Sequence, residues 1–240
     1  MKSSLKITPI ITTLFQQGEN IEQFIINSLS DYSIKEKSVL AVSSKLFSLA
    51  ENRTVKTKDK KQLIEQEADK DLGEGSYGYH LTIKEGLLLP SAGVDQSNSP
   101  TGDYLLFPKN PYLSLKKLWN FLTAQWSLKN FGLLMTDSHT TPLRRGVTGV
   151  ALAHWGFKAV KDVRGKEDLY GRELKVTTIN NVDALASGAV WLMGEGSERR
   201  PLALIENAEL EWNQSSSSEE IRIPIEEDLY KNLLKNKIKS

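Results

Sequence analysis

The run Phe131-Gly132-Leu133-Leu134-Met135-Thr136-Asp137-Ser138 decides how this chain is read. Residues 131–135 are apolar and spell a short buried strand. The strand ends at Thr136-Asp137, so an acid and a hydroxyl stand where sheets commonly hold ligand groups. Upstream the pattern repeats: apolar runs 80–83 and 87–89 flank Lys84-Glu85-Gly86 as a hairpin and lead into Ala92-Gly93-Val94-Asp95. Asp95 and Asp137 thus each follow a predicted strand. Downstream lie Arg144 and Arg145, the block Lys166-Glu167-Asp168-Leu169-Tyr170-Gly171-Arg172-Glu173-Leu174, and Gly194-Glu195-Gly196. Magnesium and manganese take oxygen ligands, so Asp95, Asp137, the Ser138 hydroxyl and Glu195 form a chemically consistent set. Each also has a plainer reading: an Asp after a strand serves as a cap or turn residue, and Gly-Glu-Gly serves as a helix C-cap.

With 240 residues the chain has the length of one large domain or two small ones, and enough to bury a core without disulfides. Its 31 Lys plus Arg balance 30 Asp plus Glu, so no chain-wide field argues for a nucleic-acid or membrane partner. Cysteine is absent, which excludes thiolate metal ligation and a cysteine nucleophile and fits a reducing compartment. The N-terminal residues carry no apolar core of signal-peptide length, and no run reaches the roughly 18 apolar residues of a membrane span. These features predict a soluble, cytoplasmic protein. The glycosylation patterns at Asn52-Arg53-Thr54 and Asn213-Gln214-Ser215 read as chance matches.

Around these motifs the periodicity is ordinary. Residues 18–29 place Ile21, Phe24, Ile25 and Leu29 on one helical face, and Val39-Leu40-Ala41-Val42 follows as a buried strand. The charged stretch 56–71 is a solvated helix or loop anchored by Leu63, Ile64 and Ala68. Leu115, Leu118, Trp119 and Leu122 mark an amphipathic helix, Asp183 reads as the N-cap of another that Gly194 ends, and 202–205 reads as a strand. The serines of 215–218 form a flexible connector to a closing helix over 224–237 with Ile225, Leu229 and Leu233 inward.

Arg144, Arg145, Lys158, Lys161, Arg164, Lys166 and Arg172 concentrate positive charge in one segment, and arginine forks match carboxylates and phosphates. Surface solubility and a local salt bridge around Gly171 explain the same residues. Gly73, Gly75 and Gly78 match the dinucleotide spacing, but a charged helical stretch precedes them and a strand follows, which makes the match accidental and a nicotinamide oxidoreductase a remote alternative. No Walker sequence is present. Of the three histidines, His139 alone lies beside a candidate site residue.

In order along the chain, Ala92 to Asn98, Thr136-Asp137-Ser138, Arg144-Arg145-Gly146, Lys161-Asp162 with Lys166 to Leu174, and Leu192-Met193-Gly194-Glu195-Gly196 resemble the coenzyme F420 γ-glutamyl ligase family over roughly 18–205. The resemblance implies an α+β fold with a mixed sheet, an intertwined homodimer, and a catalytic domain over 1–212, with two subdomains left open, followed by a linker and helix over 213–240. It implies a ligase in which a nucleoside triphosphate, usually GTP and with ATP left open for this chain, activates an acceptor carboxylate as an acyl phosphate. The amine of L-glutamate then displaces phosphate. Two divalent cations, magnesium or manganese, assist. Carried over, Asp95 and Asp137 resemble ligands of one metal, and Ser138 and Glu195 ligands of the second; Asp95, Asp137 and Glu195 are the catalytic set. Asn98, Met193, Gly194, Gly196 and Arg200 resemble nucleotide contacts, and Arg144, Arg145, Lys166 and Arg172 are candidates for substrate or phosphate.

The chain departs from the family at several points. The family's Ser-Lys-Ala-Glu-Gly-Arg is Ser48-Leu49-Ala50-Glu51-Asn52-Arg53, its Gly-Arg after the metal-binding Asp is Thr140-Thr141, and its Asn before Ala-Gly is Ser91. Leu49 has no donor for phosphate; Ser44 and Lys45, about one helical turn earlier, are the nucleotide-binding candidates of this segment, with Lys45 placed to substitute if the segment is helical. The acceptor is the deazaflavin coenzyme precursor or, alternatively, a pterin such as dihydropteroate or a folate. A nucleotide- or cofactor-binding protein that has lost transfer is the reading from a different class.

Overall fold

A strand apolar at every position, such as Val39-Leu40-Ala41-Val42, needs protein on both faces, and the computed structural model, which describes residues 4–238, supplies it. In chain order the elements are β1 (Lys6–Ile10), α1 (Ile21–Ser28), β2 (Ser38–Ser43), α2 (Ser44–Ala50), β3 (Thr54–Val55), α3 (Lys60–Glu67), β4 (Lys70–Glu74), β5 (His80–Lys84) and β6 (Leu87–Pro90). There follow β7 (Tyr104–Leu105), α4 (Pro111–Trp126), β8 (Phe131–Thr140), β9 (Val147–Trp155), β10 (Val160–Asp162), β11 (Thr178–Asn180), α5 (Asn181–Met193), β12 (Leu202–Glu206) and α6 (Lys231–Ile238). The fold is a mixed α+β architecture.

Its centre is a five-stranded sheet in the order β1-β12-β2-β8-β9. Only β2 and β8 run parallel within it, in a register that pairs Ser38 with Phe131 and Ser43 with Thr136. Alternation splits β2 between two cores. Leu40 and Val42 pack with Leu115, Leu118, Trp119 and Leu122 of α4, whereas Val39 and Ala41 pack with Val182, Ala186 and Ala189 of α5. A parallel pair needs a long crossover. Here the crossover carries the smaller three-stranded sheet β4-β5-β6, whose Glu85-Gly86 turn has both residues at positive φ, the hairpin geometry that suits strand twist.

Several expectations change on inspection. The strand at 131 does not stop at Asp137; it continues to Thr140 and pairs with β9, which the sequence reading passed over. Between Met135 and Thr136 the register shifts, because Leu152 is an extra residue on β9. Leu152 and Ala153 consequently both face the α4 core, while Ala151 faces α5. The N-cap of α5 is Asn180, not Asp183: the Asn180 side chain accepts from the Asp183 amide, and Asp183 in turn accepts from the Ala151 amide at 2.9 Å. That bond ties the first turn of α5 to β9.

The closing helix begins at Lys231 rather than Pro224, and Leu229 and Leu233 are exposed rather than inward. Turns occupy 225–230 in place of the first helical turns. The connector at 215–218 is engaged with the body, since the Ser216 hydroxyl donates to the Phe157 carbonyl at 3.4 Å, and Ser217 and Glu220 form a reciprocal capping box on a short 3-10 turn. Gly73 and Gly75 belong to the β4–β5 hairpin and no helix follows Gly78, so the dinucleotide spacing is indeed accidental. Among the described residues no helix is long and apolar enough to cross a membrane.

Gly156 fixes the close approach of α4 to the sheet. Its φ is +93°, and a Cβ there would lie 2.1 Å from the Phe131 carbonyl oxygen and 2.7 Å from the Trp119 Nε1 that donates to it. Gly156→Ala is expected to lower the unfolding free energy by roughly 2–5 kcal/mol. Gly171→Ala, also at positive φ but with open space around it, should cost only about 1 kcal/mol. Denaturant titration of the two variants side by side checks both values.

Candidate functional site

Strand register builds the site. Since Ser43 lies opposite Thr136, the residues just beyond them, Lys45 at the start of α2 and Asp137 on β8, emerge at the same end of the sheet. The antiparallel neighbours add two more segments there: Ser43 donates its amide to the Pro201 carbonyl, and Thr12 donates to the Arg199 carbonyl, each at 2.9 Å. Gly194, at φ +83°, ends α5 at this same end and releases Glu195. The result is a cavity of about 550 Å³ at the carboxyl ends of the parallel strands, the position at which open sheets place ligands.

Asp95, Asp137, Ser138 and Glu195 all line this cavity, as do Lys45, Asn98, Met193, Gly194, Gly196 and Arg200. His139 lines it too, with its pKa lowered by burial against a smaller opposing pull from Asp183. Ser44 does not: it is buried, and its carbonyl accepts from the Ser48 hydroxyl. Arg144 and Arg145 sit at the tip of the β8–β9 hairpin and Lys166 and Arg172 in the loop between β10 and β11, all exposed and outside the cavity of a single chain. Arg172 is engaged locally by Asp168 at 2.9 Å and lies over the Tyr170 ring.

The charges are arranged unevenly. Burial alone would raise the Asp95 carboxyl, but the Lys45 ammonium at 2.6 Å, the Ser97 hydroxyl and the Ser97 amide outweigh it and hold the group at about 2. Asp137 shows the opposite balance. Burial pushes its carboxyl up to about 6, the Ser138 amide and Lys45 pull against that, and the neighbouring Asp95 and Glu195 carboxylates add to the rise. Glu195 accepts from the Ser138 hydroxyl at 3.1 Å. These oxygens suit a hard cation, and the excess negative field at Asp137 is what a cation would relieve. As they stand they do not close around one: among the described residues no three His, Cys, Asp or Glu side chains gather closely enough to hold a metal ion.

Sequence reasoning missed two parts of the cavity. One is an apolar wall made of Phe15, Leu46, Leu49, Leu87, Leu89 and Phe107; Leu49, at the departure from the family pattern, belongs to it. The other is Glu198, which folds back over the glycines and accepts from the Gly196 amide at 2.8 Å. Ser97 had a readable signal, since Asp-x-Ser is a common turn pair. The apolar wall had none, because its residues look like any other core positions.

Comparison with known proteins supplies the family. The family model described as F420-0:Gamma-glutamyl ligase matches residues 9–207. The coenzyme F420:L-glutamate ligase of Methanocaldococcus jannaschii is 30% identical over 250 aligned residues, spanning 96% of this chain and 98% of its own. That of Methanopyrus kandleri is 30% identical over 221 residues, 84% of this chain and 86% of its own. The Archaeoglobus fulgidus protein of the same name is 39% identical over 152 residues, 63% and 60% of the two chains.

The raised Asp137 carboxyl has a consequence for stability. Its folded-state pKa, about 6, exceeds the ordinary 3.8. The folded protein therefore binds the proton more tightly than the unfolded one, and stability is lost as pH rises from about 4 through about 6. Asp137→Asn keeps the acceptor for the Ser138 amide and removes the charge. In the presence of a chelator it should be more stable than the parent above pH 6, by on the order of 1–3 kcal/mol, with the advantage vanishing below about pH 4. Thermal unfolding across that pH range is the check.

Proposed function

Because this chain belongs to the F420-0:gamma-glutamyl ligase family, an amide-forming type of enzyme, we propose that it joins L-glutamate to an acceptor carboxylate at the expense of a nucleoside triphosphate. The observation that carries the reading is the convergence of Asp95, Asp137, Ser138, Glu195 and Lys45 on one cavity with an apolar wall. In the first step an acceptor carboxylate oxygen attacks the terminal phosphorus, and the bond from that phosphorus to the oxygen of the leaving nucleoside diphosphate breaks. In the second the neutral amine of glutamate attacks the acyl carbon, the C–O bond to phosphate breaks, and a proton leaves the nitrogen. Neither step needs a protein nucleophile; each needs positioned positive charge.

Asp95 and Asp137 would hold one divalent cation, and Ser138 with Glu195 a second; magnesium or manganese bound there would neutralise charge on the transferring phosphoryl oxygens. Lys45 supports the reading of a compensating lysine: its ammonium stands in the cavity, bonded to Asp95 and Ser97, where Leu49 offers no charge. Asn98, Gly194, Gly196 and Arg200 are the proposed nucleotide contacts, for GTP or ATP. The apolar wall suits the flat ring of the acceptor, deazaflavin in the family's reference reaction or pterin in the alternative.

The exposed arginines gain a role if a second copy is bound. The hairpins that carry Arg144, Arg145, Lys166 and Arg172 also carry Leu143, Leu169 and Tyr170, each more than 80% exposed. Apolar side chains at such tips favour a partner, and the proposed homodimer would bury them.

The test incubates the full chain with glutamate, GTP or ATP, magnesium or manganese, and a panel of deazaflavin and pterin acceptors, and looks by mass spectrometry for one added glutamyl unit. One acceptor is expected to gain it, with phosphate release that requires both glutamate and acceptor. Glu195→Gln should lower that rate about a hundredfold or more. Nucleotide binding with no phosphate release under any combination would defeat the ligase reading in favour of a binding protein.

A further inference from the structure

The family match ends at residue 207, yet the chain that follows returns to the five-stranded sheet. Trp212 pairs with Phe157, the Asn213 amide donates to the Gly156 carbonyl at 3.1 Å, and the Gln214 side chain donates to the Lys129 carbonyl at 2.8 Å. These bonds hold the segment against the five-stranded sheet. The capping box then turns it, and Glu220 meets the end of β9: its carboxylate accepts from the Ala159 amide at 3.2 Å and lies 3.6 Å from Nε2 of His154, a fully buried ring with no other partner on that nitrogen. The other ring nitrogen of His154 meets the Tyr112 hydroxyl at 3.1 Å. Ile221 adds an apolar contact to the α5-side core.

Two residues after Glu220 the segment reaches the second sheet. The Arg222 guanidinium donates to the Glu85 carboxylate at the turn of the β5–β6 hairpin, and its stem lies flat on Gly86. A Cβ at Gly86 would come within 2.8 Å of Arg222 Cγ and Cδ, so the contact depends on that glycine. The same hairpin supplies Leu87, Leu89 and Pro90 to the cavity wall and leads directly into Asp95. The opposite wall, with Asp137 and Val150, belongs to the five-stranded sheet.

We infer that the segment from Ser217 to Arg222 is a strap that sets the spacing between the two walls of the cavity, and that Arg222 is a positioning residue for the acceptor through its grip on Glu85 and Gly86. The kinetic part rests on the ligase reading above; the structural part does not. Glu220 anchors one end of the strap in the sheet, and Arg222 holds the hairpin at the other.

Hydrogen exchange on the full chain, followed by mass spectrometry, reads the strap without any activity. Arg222→Ala should speed exchange of the amides in β5 and β6 by about three- to tenfold, leaving β2 and β8 unchanged. Paired reversal, Glu85→Arg with Arg222→Glu, should restore most of the protection that either change alone removes. Hairpin exchange that does not respond to Arg222→Ala, or acceleration spread equally over both sheets, overturns the strap. In the ligase assay with GTP, glutamate and the deazaflavin acceptor, Arg222→Ala should raise the acceptor KM about three- to tenfold with kcat within about twofold, and Arg222→Lys should recover part of it. Loss confined to kcat overturns the positioning role. A parent protein that transfers no glutamate fails the ligase reading and the kinetic role together, while the exchange result still decides the strap.

Discussion

The parallel pairing of β2 with β8 is the constraint from which the rest of the molecule follows. A hairpin cannot join two parallel strands, so the chain must leave the sheet after Ser43 and travel a long way before it re-enters at Phe131. What it builds on that excursion, the β4-β5-β6 sheet and the turn to Asp95, becomes the far wall of the cavity. The near wall is the strand end itself. Lys45 leaves the sheet and Asp95 comes back to it, fifty residues apart, and the 2.6 Å bond between them joins the two walls across the cavity.

That bond also organises the electrostatics. Asp95 is ionised because an ammonium stands against it, and the same ammonium is a weaker, more distant counter-charge for Asp137. A single cation shared by two acids leaves one of them undersatisfied. The undersatisfied acid is the more enclosed one, which is an expensive arrangement for a protein that needed only to fold. In the proposed reaction a divalent cation bound there would supply the positive charge that the chain withholds.

Much of this was legible in the sequence where local chemistry decided the outcome. The runs at 39–42, 131–135 and 202–205 formed strands as their apolar content required, and Leu115, Leu118, Trp119 and Leu122 face the core from one side of α4. The four oxygen donors named from their motifs do share a cavity. Misreadings arose where two local solutions were equally good. Asn180 and Asp183 are both competent caps, and the choice fell to the Ala151 amide, a partner some thirty residues away in sequence. The polar stretch Asp137 to Thr140 carries no apolar signal, yet pairing with β9 keeps it extended. The C-terminal helix was overextended because its apolar residues suggested a face for which the fold offers little cover.

The extra residue on β9 carries one more implication. Side chains on a strand alternate strictly, so Leu152 reverses the parity of everything beyond it, and only with that reversal does Gly149 turn toward α5, where a Cβ would stand 2.3 Å from the Ala186 carbonyl oxygen. A regular strand of the same length, with no bulge, would swap the two covered faces along its first half and press Val150, opposite Ser138 in place of Gly149, into a space that admits only hydrogen. What the bulge preserves is the place of the one β9 residue that has no side chain, a matter of alternation along the strand.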